Sequence, residues 1–307
     1  MQFFRTPNIN FIQKRRTAYV ISGVLVLFGI VSIFNLNLGI DFKGGTSIVL
    51  QFEDKVTVSE LRNALAVGDF GNIEIKHFGS RNEVLIYVEQ KKDVSAQEMA
   101  VKVESAIQEV MPDKEYQRIK YDTVGPKIGE ELRKSAVLAI LFALFLILIY
   151  IGWRFELVFA IGAIIALFHD VLITIGIFTM LNFELSLKEI AAFLTIVGYS
   201  LNDTIVVYDR IRENLKILRS EDLGAIINRS INQCLSRTVV TSLTTFVVVA
   251  ILFIIGGGVI RGFAFAMMVG VVVGTYSSIF VASPLVLEWQ SRHGGKGKLR
   301  MIKRKRK

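Results

Sequence analysis

Six apolar stretches dominate this chain, at about 17–35, 135–153, 156–180, 189–208, 238–256 and 261–287, and each is long enough to cross a bilayer. They restrict the spanning part to helices, because a chain in lipid must satisfy its own backbone hydrogen bonds. The mean hydropathy of +0.50 is too apolar for a soluble domain. Yet 21% of the residues are charged, too many for bare helices, so one polar domain must lie between spans. Six spans put both ends on one side, and basic residues decide which side. Lys14-Arg15-Arg16 precede the first span, Arg210, Arg212, Lys216 and Arg219 follow the fourth, and the chain ends in Lys303-Arg-Lys-Arg-Lys307. The opposite loops offer little beyond Lys188 and Arg261. By the positive-inside rule, residues 1–16, 209–237 and 288–307 are cytoplasmic and 36–134 lie outside. The net charge of +9 therefore reads as topology rather than nucleic-acid binding. Trp153 and Trp289 close the second and sixth spans at the basic face, as interfacial aromatics do. The first span reads as an anchor, since Asn35-Leu-Asn-Leu-Gly39 offers no signal-cleavage pattern.

The fourth span holds a carboxylate at its centre. Asp203 lies inside the run from Ile190 to Tyr208, where a central Asp costs roughly 2.5–3.5 kcal/mol on insertion scales. Thr195, Tyr199 and Asn202 share one helical face beside it, a wet stripe that predicts a polar pathway. The third span places His169 and Asp170 near mid-bilayer, within a stripe of Gly162, Ala166, Asp170 and Thr174. In the fifth, Arg237, Thr241 and Thr244 or Thr245 fall along one face, and Arg237 is expected to pair with Asp203. In the sixth, Ala266, Gly270, Gly274, Ser278 and Ala282 recur every fourth residue, a groove for another helix. The lone Cys234 excludes a disulfide within the chain and reads as an apolar filler. No nucleotide-binding, zinc or nucleophilic-triad motif occurs, and three dispersed histidines make no metal cluster. Neither enzymatic chemistry nor a cofactor is expected.

The polar segment, roughly 40–125, parses as βαββαβ, the ferredoxin-like α+β arrangement. Strands are predicted at 46–52, 72–78, 83–89 and 115–124. Thr57-x-x-Glu60 and Ser95-x-x-Glu98 cap two helices, and Ser80-Arg-Asn82 turns the second strand into the third. Pro126 suits the first turn of a helix that runs through Ile128 to Ser135 into the second span. A helix continuous from bilayer to domain would act as a lever.

Leu38-Gly-Ile-Asp-Phe-Lys-Gly-Gly-Thr46, with Asp41, Gly44, Gly45 and Thr46, resembles the Gly-Gly-Thr signature of the SecD/SecF family. The runs Tyr199 to Asn214, Ser230 to Ser242 and Ala166 to Thr174 are similar to that family's fourth-, fifth- and third-span motifs. The resemblance covers nearly the whole chain. Six spans with one modest outer domain suit the SecF branch rather than SecD or the twelve-span fused form. It implies half of a resistance-nodulation-division-type pump in the bacterial plasma membrane, driven by a proton gradient and partnered with SecD. It further implies association with the SecYEG channel and with YajC and YidC, with unfolded exported polypeptides as cargo. Asp203 and Arg237 would be the proton-relay residues. Two other readings stay open: a half-size exporter of small molecules or lipids, and a scaffold whose Asp203 only hydrogen-bonds.

Overall fold

The computed structural model describes residues 7–68, 70–71, 73–78, 82–89, 96–218 and 220–293. Asn72, the turn at 80–81, the Ser95 cap, Arg219 and the basic tail at 303–307 lie outside those residues. Helix α1 (Arg15–Ile33) leads through a short strand β1 (Asn37–Leu38) and a one-turn helix α2 (Ile40–Lys43) into the polar domain. There follow β2 (Gly45–Phe52), α3 (Val58–Leu65), β3 (Ile73–His77), β4 (Glu83–Val88), α4 (Ala96–Val110) and β5 (Tyr116–Val124). The strands pair antiparallel throughout in the order β3-β4-β2-β5, the ferredoxin-like sheet. Thr57 accepts from the Glu60 N–H at 3.2 Å while the Glu60 carboxylate accepts from the Thr57 N–H at 2.8 Å, closing the capping box.

Strand alternation gives the sheet two different faces. Ile48, Leu50 and Phe52 of β2 and Val84, Ile86 and Val88 of β4 pack on Leu61, Leu65, Val103 and Ile107 of the two helices. The other face, with Ser47, Leu85, Lys120 and Asp122, borders a cleft of about 250 Å³ shared with residues 181–189 and 258–262. The sheet thus roofs the bundle with its helices turned away. Lys76 reaches across to Glu184 at 3.2 Å and back to Glu74 at 3.3 Å. Burial opposes its charge, but the two carboxylates outweigh that and hold Lys76 above the ordinary lysine value.

The bundle comprises α1, α5 (Pro126–Arg154), α6 (Leu157–Met180), α7 (Leu187–Ile217), α8 (Leu223–Ile255) and a last span in three parts. That span is α9 (Gly257–Ser277), a π-helical turn (Ser278–Ala282) and α10 (Ser283–His293). All six are long and apolar enough to cross a membrane. The chain is therefore an α-helical polytopic membrane protein carrying one ferredoxin-like domain. Helix α5 runs unbroken from the domain for 29 residues, the geometry expected of a lever. A further strand, β6 (Glu184–Leu185), pairs in parallel with β1 and ties the segment after α1 to the α6–α7 turn. Gly257, at φ 68°, turns α8 directly into α9. Pro284 accounts for the π turn: it has no N–H for the Phe280 carbonyl, and its ring would crowd that carbonyl in a regular helix. At the opposite end, Asn232 and Asn228 of α8 accept from the N–H groups of Ile9 and Phe11 at 2.9 and 2.8 Å, holding the N-terminal segment.

Candidate functional site

Five helices bring their polar residues to one buried level. Asp170, 1% exposed, is the centre. Its Oδ2 accepts from Ser200 of α7 at 2.5 Å and from Ser277 of α9 at 2.7 Å, while Oδ1 meets His169 Nδ1 at 2.8 Å. His169 Nε2 lies 3.0 Å from Ser22 of α1, whose hydroxyl is 3.2 Å from Tyr276 of α9. Asp203, 2% exposed, accepts from Ser242 of α8 at 3.3 Å, and Ser242 lies 2.6 Å from Thr275. A buried carboxylate is tolerated when donors satisfy it, and Asp170 has three. Thr275, Tyr276 and Ser277 are consecutive, so one turn of α9 touches both carboxylate systems.

Apolar layers enclose this level. Towards the sheet domain, Phe178, Phe193, Ile196 and Met267 form a buried layer, with Phe183 stacked on Phe178 and Phe265 at 5.1 and 4.9 Å. Towards the other end, Phe155, Phe159 and Tyr208 pack edge to face, and the Tyr208 hydroxyl donates to the Ala282 carbonyl at 3.0 Å. Between them the carboxylates are buried, where hydrogen bonds and charges act more strongly than in water.

Arg237 is exposed on the bundle surface, from where its charge still acts on Asp203, but no ion pair within 4.0 Å joins the two among the described residues. The reason is helical rotation. Thr241, the predicted companion, bonds back to the Arg237 and Thr238 carbonyls at 3.0 Å, and Thr244 is exposed on the same side. Ser242, rotated by about 100° from Thr241, faces Asp203 instead. Likewise Thr195 and Asn202 are exposed on α7 and Tyr199 is half-buried with an unpartnered hydroxyl, whereas Asp203, about 100° round the helix from Asn202, is buried. Thr195 and Asn202 thus lie on the outer surface of this bundle, beside the buried site.

The small-residue groove of α9 faces α7. A Cβ on Gly270 would lie 2.4 Å from Ile196, and one on Gly274 would lie 3.0 Å from the Ser200 Cβ. Ala266 and Ser278 are fully buried along the same stripe. Gly270→Leu should therefore force α9 off α7 and cost about 1–3 kcal/mol or more. Recovery of monodisperse protein should fall sharply, whereas Gly152→Ala, with nothing within 4 Å, should leave it unchanged. Equal recovery of both variants would mean that close packing at Gly270 contributes nothing.

Asp41, Gly44, Gly45 and Thr46 lie outside the bundle, at the junction of domain and spans. Asp41 Oδ2 accepts from the Leu187 N–H at the start of α7 at 2.9 Å, across 146 residues of sequence. Gly44 and Gly45 have φ of 72° and 117°, and a Cβ on Gly45 would lie 2.6 Å from the Val88 carbonyl oxygen. Gly129 of α5 packs on Gly44, where a Cβ would lie 3.1 Å from its nitrogen. Thr46 is fully buried in the sheet. Among residues that sequence reasoning passed over, Ser22, Ser200, Ser242 and the Thr275–Ser277 run carry the network. The cluster of hydroxyls after Gly274 in an apolar span was the available signal.

Residues 102–292 match the family described as protein export membrane protein SecD/SecF, C-terminal, and residues 31–56 match the SecD/SecF GG motif. The chain belongs to the SecD/SecF family. Its SecD/SecF relatives include the protein translocase subunit SecF of Rhodothermus marinus, 45% identical over 97% of this chain and 99% of that one. The subunit of the same name from Magnetococcus marinus is 48% identical, with 93% of each chain covered. Among solved structures, SecDF from Thermus thermophilus, titled a translocon-associated membrane protein, matches with a TM-score of 0.85 and 42% identity over 93% of this chain. SecDF in a super-membrane-facing form matches with a TM-score of 0.71 and 40% identity over 96% of this chain. The chain spans only 39–40% of those SecDF proteins.

Proposed function

We propose that this chain is the accessory subunit of the Sec export machinery that, with SecD, uses the proton-motive force to complete protein translocation. It acts without enzymatic chemistry or a cofactor, and the proton gradient is its energy source. The observation carrying the proton part is Asp203, buried mid-span with the neutral Ser242 as its hydrogen-bond partner. As a carboxylate it accepts from that hydroxyl; as an acid it donates to it. Both states fit one geometry, which a proton relay requires. The exposed polar face of Thr195, Asn202, Arg237 and Thr244 supports a partner bundle there, since such groups are costly against lipid. SecD is that partner. SecYEG, YajC and YidC complete the assembly, and unfolded exported polypeptides are the cargo of the sheet domain. The relatives named translocase subunits and the match to SecDF support this reading. At nearly equal identity the two SecDF structures give TM-scores of 0.85 and 0.71, which is consistent with a family that takes more than one arrangement.

The test is export into vesicles holding this chain with SecD and the channel, with and without a protonophore. Late-stage export should depend on both the chain and the gradient. Export that needs the chain but ignores the gradient would leave it a scaffold. On this reading the chain lies in the bacterial plasma membrane with both termini cytoplasmic. Topology reporters fused after Gly71 and after Ser220 should give opposite signals, and matching signals would overturn that orientation.

A further inference from the structure

Asp203 leaves unexplained a second buried acid with a histidine beside it. We propose that His169 and Asp170 form a second proton-binding site, distinct from Asp203, whose added proton is accommodated by the hydroxyls of Ser22 and Tyr276. Its geometry accommodates an added proton with every polar hydrogen still bonded. With a neutral imidazole, His169 Nδ1–H donates to Asp170 at 2.8 Å and the Ser22 hydroxyl donates to Nε2 at 3.0 Å. The Tyr276 hydroxyl meanwhile donates to the Ala18 carbonyl at 3.1 Å. When a proton is added at Nε2, that nitrogen donates to Ser22 instead, and the Ser22 hydroxyl turns to Tyr276 Oη at 3.2 Å. Tyr276 keeps its bond to Ala18. Only the Ser22 hydrogen rotates, and no heavy atom moves.

The charge balance agrees. Without the proton the compartment holds a net carboxylate charge; with it, the dyad is neutral overall. A purely structural role needs only one hydrogen-bonding state, whereas this chain of groups is complete in both. The groups facing the dyad are Ser22 of α1, Ser200 of α7, and Tyr276 and Ser277 of α9. Tyr19 of α1 and Asp203 of α7, each three residues from one of these contacts, are the next titratable groups. No lysine or arginine forms an ion pair with Asp170 among the described residues. The Thr275–Ser277 turn contacts both sites, so the charge on one is felt by the same helix segment that holds the other.

This inference rests on the proton-coupled reading above but can fail separately from it. The experiment uses the full chain in lipid nanodiscs with His77→Gln and His293→Gln, so that His169 is the sole imidazole. Ring-nitrogen NMR and the carboxyl infrared bands are followed over roughly pH 5–8, the range in which imidazoles change charge. A reversible protonation change on His169 or Asp170 is expected, and it should persist in Asp203→Asn. Ser22→Ala removes the acceptor of the imidazolium, so at matched pH the imidazolium fraction should fall roughly tenfold. No protonation change at either group, or one that vanishes in Asp203→Asn, overturns the second site. A dyad that titrates beside gradient-independent export would keep this site and reject the motor. The reverse pattern would keep the motor and reject this site.

Discussion

Asp203→Asn is expected to reduce gradient-driven export to the level seen with a protonophore, while the protein still assembles. Asparagine keeps the shape and can still bond Ser242, but it cannot exchange a proton. Fold stability should change by about 1 kcal/mol or less, because the amide has the same shape and keeps the hydrogen bond to Ser242 within the same buried layer. Asp203→Leu provides the contrast. It removes a hydrogen-bond partner of Ser242, which keeps its bond to Thr275, and forces a branched apolar side chain into the buried polar cluster, so it should destabilise the bundle by about 1–3 kcal/mol, lowering recovery as well as activity. Thermal unfolding in detergent and export in vesicles separate the two effects. Wild-type export by the Asn variant would remove Asp203 from the relay.

The energetics favour more than one protonatable group. One charge crossing about 100 mV supplies about 2.3 kcal/mol, whereas a switch from 1:99 to 99:1 needs about 5.5 kcal/mol. Two protons supply about 4.6 kcal/mol at the same potential, close to a full switch before any pH difference is added. A bundle in which Asp203 and the His169–Asp170 dyad are both reached from one turn of α9 would meet that requirement in a way that a lone carboxylate would not.

Features carried by local pattern were legible in the chain. Alternation in 46–52 and 83–89, the Thr57 capping box and the length of the six apolar runs depend on neighbours in sequence. Asp203 stood out because a carboxylate in lipid needs a reason. Features set by helix rotation were not legible. Arg237 and Ser242 are both polar residues of α8, and a turn of the helix about its own axis decides which meets Asp203. The Asp41–Leu187 bond was out of reach for another reason: it joins residues 146 apart, and nothing local to either announces it. Pro284 was visible, but its effect, a π turn that shifts the residues after Ser277, follows only once the helix is built.

The Asp41–Leu187 bond offers a second route by which domain and bundle would be coupled, and it gives the second large expected effect. The lever, α5, is continuous with β5, but its span is poorly gripped: Leu138, Leu141, Phe142, Phe145 and Trp153 are all exposed on it. A helix that touches its bundle lightly transmits tilt lightly. The alternative tie enters α7 at its first residue through Asp41, reinforced by the β1–β6 pair and the Gly39 N–H to Leu185 carbonyl bond at 2.8 Å. Helix α7 carries both Ser200 and Asp203, so this tie acts directly on the helix that holds the site. Ser186 and Glu189 already cap α7, so losing Asp41 should cost about 1 kcal/mol and leave the helix folded. Asp41→Ala is therefore expected to lower gradient-driven export severalfold while the isolated proton chemistry of the bundle persists. A Gly-Ser-Gly-Ser insert after Lys134, which puts flexible coil into α5, should lower it too, but by less. Combining the two should bring export down to the protonophore level. If the insert alone is as damaging as the combination and Asp41→Ala is silent, α5 is the sole coupling element and the Asp41 tie is a cap and nothing more.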